Sequence, residues 1–99
     1  MEIIKDNTLD VKDKTCVLYF TAQWCMPCKN FLPVLQQVEQ ECNLDIKKID
    51  VDENSNVTKL FNIRNVPTLI FIKDGVEINR KLGSMKKTDL IESLKCITQ

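Results

Sequence analysis

Cys16-Val17-Leu18-Tyr19-Phe20-Thr21-Ala22-Gln23-Trp24-Cys25-Met26-Pro27-Cys28-Lys29 is the stretch whose reading decides the fold. Its first half, Cys16–Thr21, is β-branched and aromatic and lacks polar alternation. Such a run reads as a central strand buried on both faces. Its second half opens a helical pattern over Trp24–Glu41. Phe31, Val34, Leu35, Val38 and Cys42 fall at i, i+3, i+4, i+7 and i+11, one continuous apolar stripe. A buried strand that feeds an amphipathic helix begins an α/β layer with a mostly parallel sheet.

The rest of the chain continues the alternation. Glu2–Lys5 reads as a short strand and Asn7–Val11 as at most a short helix. Leu44–Val51 is a further strand, and Asn54–Phe61 a short helix with Val57, Leu60 and Phe61 inward. Thr68–Lys73 and Val76–Leu82 are strands joined by Asp74-Gly75, a tight hairpin signal. The second alternates Val76, Ile78, Arg80 and Leu82 with polar residues and carries charges, as an edge strand should. Lys86–Ile97 closes the chain as a helix with Leu90, Ile91, Leu94 and Ile97 inward. The expected order is β-α-β-α-β-α-β-β-α.

With 99 residues the chain is one domain, 1–99, and 43% apolar residues suffice for a core. Fourteen basic and fourteen acidic side chains cancel. There is no electrostatic case for nucleic acid or an anionic membrane. The longest apolar runs fall far short of the roughly 20 residues of a membrane span. Met1–Asp6 lacks the apolar core of a signal peptide. The chain is expected to be soluble, cytoplasmic and monomeric.

Five cysteines and no histidine define the chemistry. An odd count argues against a secreted disulfide framework. One close pair, Cys25 and Cys28, stands apart from Cys16, Cys42 and Cys96. Half of a zinc site is the plainest alternative, but zinc needs four ligands and there is no second pair and no histidine. The pair sits where the buried strand passes into the helix. Pro27 occupies the first turn, where a missing N–H costs nothing. Cys25 therefore meets unpaired N–H groups and the positive end of the helix dipole, and Lys29 adds a charge. Such a place favours thiolate, the nucleophilic form. At 100° per residue, Cys28 lies about 60–70° from the centre of the apolar stripe and Cys25 about 130°. Cys25 is thus expected to face solvent and attack a substrate disulfide, with Cys28 tucked inward to resolve the mixed disulfide. Cys16 and Cys42 follow the apolar pattern and read as core residues. Cys96 falls on the polar face of the last helix and reads as exposed.

Trp24-Cys25-Met26-Pro27-Cys28-Lys29 resembles the thioredoxin active-site motif Trp-Cys-Gly-Pro-Cys-Lys. The resemblance extends through Pro33, Ile49-Asp50-Val51-Asp52, Ile63-Arg64-Asn65-Val66-Pro67-Thr68, Asp74-Gly75 and Leu82-Gly83, and covers Thr15 to Ile97. It implies the thioredoxin fold, a central mixed sheet of four to five strands flanked by helices on both faces. It also implies a redox-active Cys25–Cys28 disulfide that reduces disulfide-containing protein substrates, with a thioredoxin reductase as electron donor and no cofactor. Trp24 would flank the sulfurs, Pro67 would follow a cis peptide bond, Val66 would offer its backbone to an extended substrate, and Gly83 would keep the groove floor open.

Two residues depart from the family. Met26 replaces the usual glycine and places a flexible apolar side chain beside the sulfurs, which is expected to alter substrate preference or redox potential. Tyr19 replaces a buried aspartate that assists the resolving cysteine, and a phenol with a pKa near 10 is a poor base at neutral pH. Lys48 holds the place of that aspartate's lysine partner. The apolar phase changes between Leu44/Ile46 and Ile49/Val51, which turns Lys48 inward and suggests a Tyr19–Lys48 interaction. Two other functions fit the sequence less well. Glutaredoxins carry the motif proline directly after the first cysteine, whereas here it precedes the second. A thioredoxin-like binding module with little redox activity is the reading that the missing aspartate supports.

Overall fold

In the computed structural model, which describes residues 1–98, five strands form one mixed sheet in the order β1-β3-β2-β4-β5. These are β1 (Glu2–Ile4), β2 (Cys16–Thr21), β3 (Ile46–Asp50), β4 (Thr68–Lys73) and β5 (Val76–Leu82). β1 and β2 run parallel to β3, while β4 is antiparallel to both β2 and β5. The helices are α1 (Met26–Cys42), α2 (Ser55–Leu60) and α3 (Lys87–Thr98).

β2 is central because every one of its residues can be buried, and all six are. Strand alternation then assigns each to a layer. Val17 and Tyr19 pack with Phe31, Leu35 and Val38 of α1 and Leu90, Leu94 and Ile97 of α3. Cys16, Leu18 and Phe20 pack on the other face with Val57 of α2. Helices thus cover both faces, as the sequence implies. No helix among the described residues is long and apolar enough to cross a membrane.

Two expectations change. Asn7–Val11 forms no helix: Asp6 and Asn7 take positive φ values of 53° and 58°, which break a right-handed turn. The Asn7 side chain instead caps α2 from outside, its Oδ1 accepting the Asn56 and Val57 N–H groups at 3.0 and 3.1 Å. In α2, Val57 is buried but Leu60 is 79% exposed. Phe61, at the C-cap, takes the inward place against Phe20, with ring centroids 5.8 Å apart. On β5, Val76, Ile78 and Leu82 are all exposed. That strand has a neighbour on one side only, a register shift opposite Phe71/Ile72 interrupts its alternation, and neither buried core cluster includes a β5 residue.

The β4–β5 turn places Asp74 and Gly75 at φ 52° and 83°, the paired positive values of a type I′ hairpin. Gly75 could not be replaced cheaply, because a Cβ there would approach the Asp13 backbone nitrogen to 2.8 Å.

Asn54, fully buried, ties three segments together. Its Nδ2 donates to the Ile4 and Asp50 carbonyls at 3.2 and 3.0 Å, and its Oδ1 accepts the Asn7 N–H at 2.9 Å. Asn54→Leu strands all three partners, so urea denaturation is expected to show a loss of about 2–4 kcal/mol. Leu60→Ser, on an exposed side chain, should stay within about 0.5 kcal/mol.

Lys47, rather than Lys48, is the buried lysine of β3, at 3% exposure. It forms ion pairs with Glu2 and Asp45. Burial pulls the Lys47 pKa down, but the hydrogen bond and charge of Glu2 and the charge of Asp45 outweigh it, and the net direction is upward. Its hydrogen bond with Lys47 lowers the Glu2 pKa below 4.5. A lowered acid pKa stabilises the fold above the unfolded value and loses that contribution as pH falls through the folded one. Glu2→Gln should therefore destabilise modestly at pH 7, by about 0.5 kcal/mol given the exposure of Glu2. Paired urea titrations should show this difference shrink once the pH drops below 4.5.

Candidate functional site

The chain leaves β2 at Thr21, turns through Ala22-Gln23-Trp24, and enters α1 at Met26. Cys25 is the N-cap residue, with extended φ −93° and ψ 105°. Its sulfur accepts the Cys28 N–H at 3.2 Å, the part usually played by a serine or aspartate oxygen. Pro27, in the first turn, removes a donor that would otherwise need a partner. The first turn carries no acidic residue, so no carboxylate opposes negative charge on sulfur there.

Cys25 and Cys28 form a disulfide with Cα atoms 5.3 Å apart. Both are buried, at 4% and 1% exposure. The expectation that Cys25 faces solvent is therefore corrected. Counting 100° per residue fails there because an N-cap residue lies outside the helix. The loop before β4 also lies close by, with the Val66 carbonyl oxygen 3.8 Å from Cys25 Sγ. The surface beside the pair belongs to its neighbours: Trp24 is 69% and Met26 60% exposed.

The Val66–Pro67 peptide bond is cis. Gly83, at φ 83°, donates its N–H to the Pro67 carbonyl at 2.8 Å, and a Cβ on it would meet open space. The glycine is thus suited to its positive φ and leaves that surface uncovered. Trp24, Cys25, Met26, Val66, Pro67 and Gly83 converge from the start of α1, the loop before β4 and the end of β5.

Sequence reasoning missed what holds Trp24. Its Nε1–H donates to Asp52 Oδ2 at 2.9 Å, across the junction between β3 and α2. Asp52 belongs to the Ile49-Asp50-Val51-Asp52 motif, which gave the signal without the role. An aromatic ring this exposed needs such a tether to keep one orientation.

Tyr19 and Lys48 are register partners on β2 and β3. Their expected mutual interaction is replaced by another. The Tyr19 hydroxyl donates to the Cys28 carbonyl at 2.9 Å, and its ring meets Phe31 edge-on with centroids 6.2 Å apart. Burial raises the Tyr19 pKa, so the hydroxyl keeps its proton and serves as a donor. Lys48 is half-buried and lines a cleft of about 400 Å³ with Tyr19, Cys28, Lys29, Asp50 and Glu53.

The remaining cysteines are unpaired. Cys16 is buried, and desolvation pushes its thiol up to about 11, which makes it inert. Cys42 is half-buried at the end of α1, and Cys96 is exposed on α3, where its Sγ lies 3.2 Å from the Ser93 carbonyl.

Comparison with known proteins agrees with this geometry. The thioredoxin family profile matches residues 4–96. A thioredoxin from Staphylococcus aureus is 36% identical over 100 residues, covering 95% of this chain and 96% of that protein. The crystal structure of Fasciola hepatica thioredoxin superposes with a TM-score of 0.79 at 34% identity, over 87% of this chain and 83% of that one. A mutant thioredoxin from Halobacterium salinarum gives 0.86 at 26% identity, over 99% and 90%. A buried, helix-capping Cys-Met-Pro-Cys pair on this sheet, matched along nearly the whole sequence, places the chain in the thioredoxin family.

Proposed function

We propose that the chain reduces disulfide bonds in protein substrates by dithiol exchange, with Cys25 attacking and Cys28 resolving. The observation that carries this reading is the Cys25 sulfur at the N-cap of α1. In the dithiol form the Cys28 N–H and the helix dipole stabilise charge on that sulfur. The thiolate attacks one sulfur of the substrate disulfide, the other substrate sulfur leaves, and a mixed disulfide forms on Cys25. Cys28 then attacks Cys25 Sγ, closes the intramolecular disulfide and releases the second substrate thiol. Two electrons pass from the dithiol to the substrate.

On this reading Trp24 and Met26 form an apolar rim for the substrate and the Val66 backbone takes an extended segment by strand-like contact; the exposure of both side chains and the nearness of the Val66 carbonyl to Cys25 support it. A thioredoxin reductase restores the dithiol. The three unpaired cysteines suit a reducing compartment, and we place the protein in the cytoplasm.

Reduction of insulin with dithiothreitol as electron source tests the assignment. Wild type should accelerate the reaction, Cys25→Ser should return it to the uncatalysed background, and Cys28→Ser should accumulate a covalent substrate adduct. Equal rates for all three chains would instead identify a binding module.

Thiol chemistry offers a separate check. In the reduced chain at pH 7, iodoacetamide followed by peptide mass mapping should label Cys25 before the exposed Cys96. Cys16 should react only after unfolding. Labelling of Cys96 ahead of Cys25 would contradict activation by the helix terminus.

A further inference from the structure

Resolution requires Cys28 to lose a proton while 1% exposed. We propose that Asp50 takes this proton through water in the cleft behind α1, filling the role that Tyr19 cannot perform. The inference rests on the dithiol reading above and concerns only its second step.

The lining of one cleft limits which groups can accept the proton. The cleft, about 400 Å³, reaches Cys28 and has room for several waters. Its titratable and charged lining is complete: Tyr19 from β2, Cys28 and Lys29 from α1, Lys48 and Asp50 from β3, and Glu53 from the following turn. Tyr19 is already a donor to the Cys28 carbonyl and keeps its proton. Lys29 and Lys48 are cations with no acceptor to offer. Two carboxylates remain, and Glu53 is exposed to bulk water whereas Asp50 is half-buried.

Strand register puts Asp50 in the right place. Tyr19 faces Lys48 and Thr21 faces Asp50 across β2 and β3, and alternation keeps all four on the α1 side of the sheet. The Asp50 carboxylate is also fixed. Its Oδ1 accepts the backbone N–H groups of Asp52 and Glu53 at 2.8 and 3.1 Å. Lys48, two residues earlier on the same face, supplies a positive charge that favours thiolate at Cys28.

The Cys28 S–H proton passes through water to Asp50, and the thiolate attacks Cys25 Sγ. The bond between Cys25 and the substrate sulfur breaks as the Cys25–Cys28 bond forms. The substrate leaves as a thiolate that takes a proton from water, and Asp50 releases its own proton to solvent.

The test uses Asp50→Asn, which keeps an oxygen for the two backbone N–H groups. Stopped-flow single turnovers should show resolution of the mixed disulfide slowed about 100-fold, with formation little changed. In a Cys25→Ser background, removal of the Asp50 charge should shift Cys28 alkylation to lower pH, while Lys48→Met should shift it to higher pH. A merely structural defect would not make Cys28 more acidic and yet slower to resolve. Leu32→Phe narrows the cleft without altering a charge and should also slow resolution, which keeps the proposal testable if Asp50→Asn folds poorly. Unchanged resolution in Asp50→Asn, or in Leu32→Phe should that variant have to stand in, would overturn the relay. Adducts that resolve only when Cys28 is present would leave the dithiol reading standing in that case. Resolution without Cys28 would remove both.

Discussion

One hydrogen bond organises this molecule's chemistry: the Cys28 N–H donated to the Cys25 sulfur. It satisfies a backbone donor that the start of any helix leaves open, and it does so with the sulfur to which the proposed function gives the attack. The same bond sets the spacing of the pair, because an N-cap side chain reaches the N–H of N2 or N3 and Cys28 occupies N3. Sulfur activation and disulfide closure are therefore two consequences of one local geometry. The geometry needs a rigid base, and β2 supplies it, because a strand with all six residues buried cannot shift its end relative to α1.

Tyr19 shows how the fold absorbs a change in that base. A phenol is larger than a carboxylate and carries no charge, so its burial needs only one partner for its hydroxyl. The Cys28 carbonyl is that partner, and the Phe31 ring covers the aromatic edge. The substitution thus ties β2 to the first turn of α1 by a neutral bond. The same change leaves no negative charge on β2 beneath Cys28, which, on the proposed mechanism, separates the task of holding α1 from the task of accepting a proton. On a strand carrying aspartate one side chain could attempt both. Here Tyr19 holds, and proton transfer is left to the cleft.

Where pattern and packing agreed, the sequence was a reliable guide. β4 and β5 run over the residues that their hydrophobicity marks, and α1 keeps its apolar stripe through Pro33. The misreadings share a physical origin. Leu60 follows the right period, but period does not say whether another layer exists to cover it. Asn7 reads as a residue at a weak helix because its real work, capping α2 some 50 positions away, is tertiary. Lys47 and Lys48 are adjacent and alike, and only the pairing of β3 with β1 and β2 decides which is buried. At the site, composition and spacing locate the two sulfurs. The Trp24–Asp52 bond and the shared cleft of Lys48 and Asp50 depend on turns between strands and helices that no local signal encodes.

The cysteines make the general point most sharply, because one side chain meets different fates within a single small domain. Cys16, on the α2 face of β2, is surrounded by apolar atoms, and its thiol is driven up to about 11. Cys25 is almost equally buried, yet it faces a backbone donor and a helix terminus. At Cys16 the nearby Lys47 and Lys14 offset burial only in part, whereas Cys25 has a backbone donor and a helix terminus on its side. Exposure is therefore the wrong measure of reactivity for the free chain. The surface beside that sulfur is the exposed Trp24–Met26 rim, so the side chains that choose a partner are not the atom that carries the chemistry.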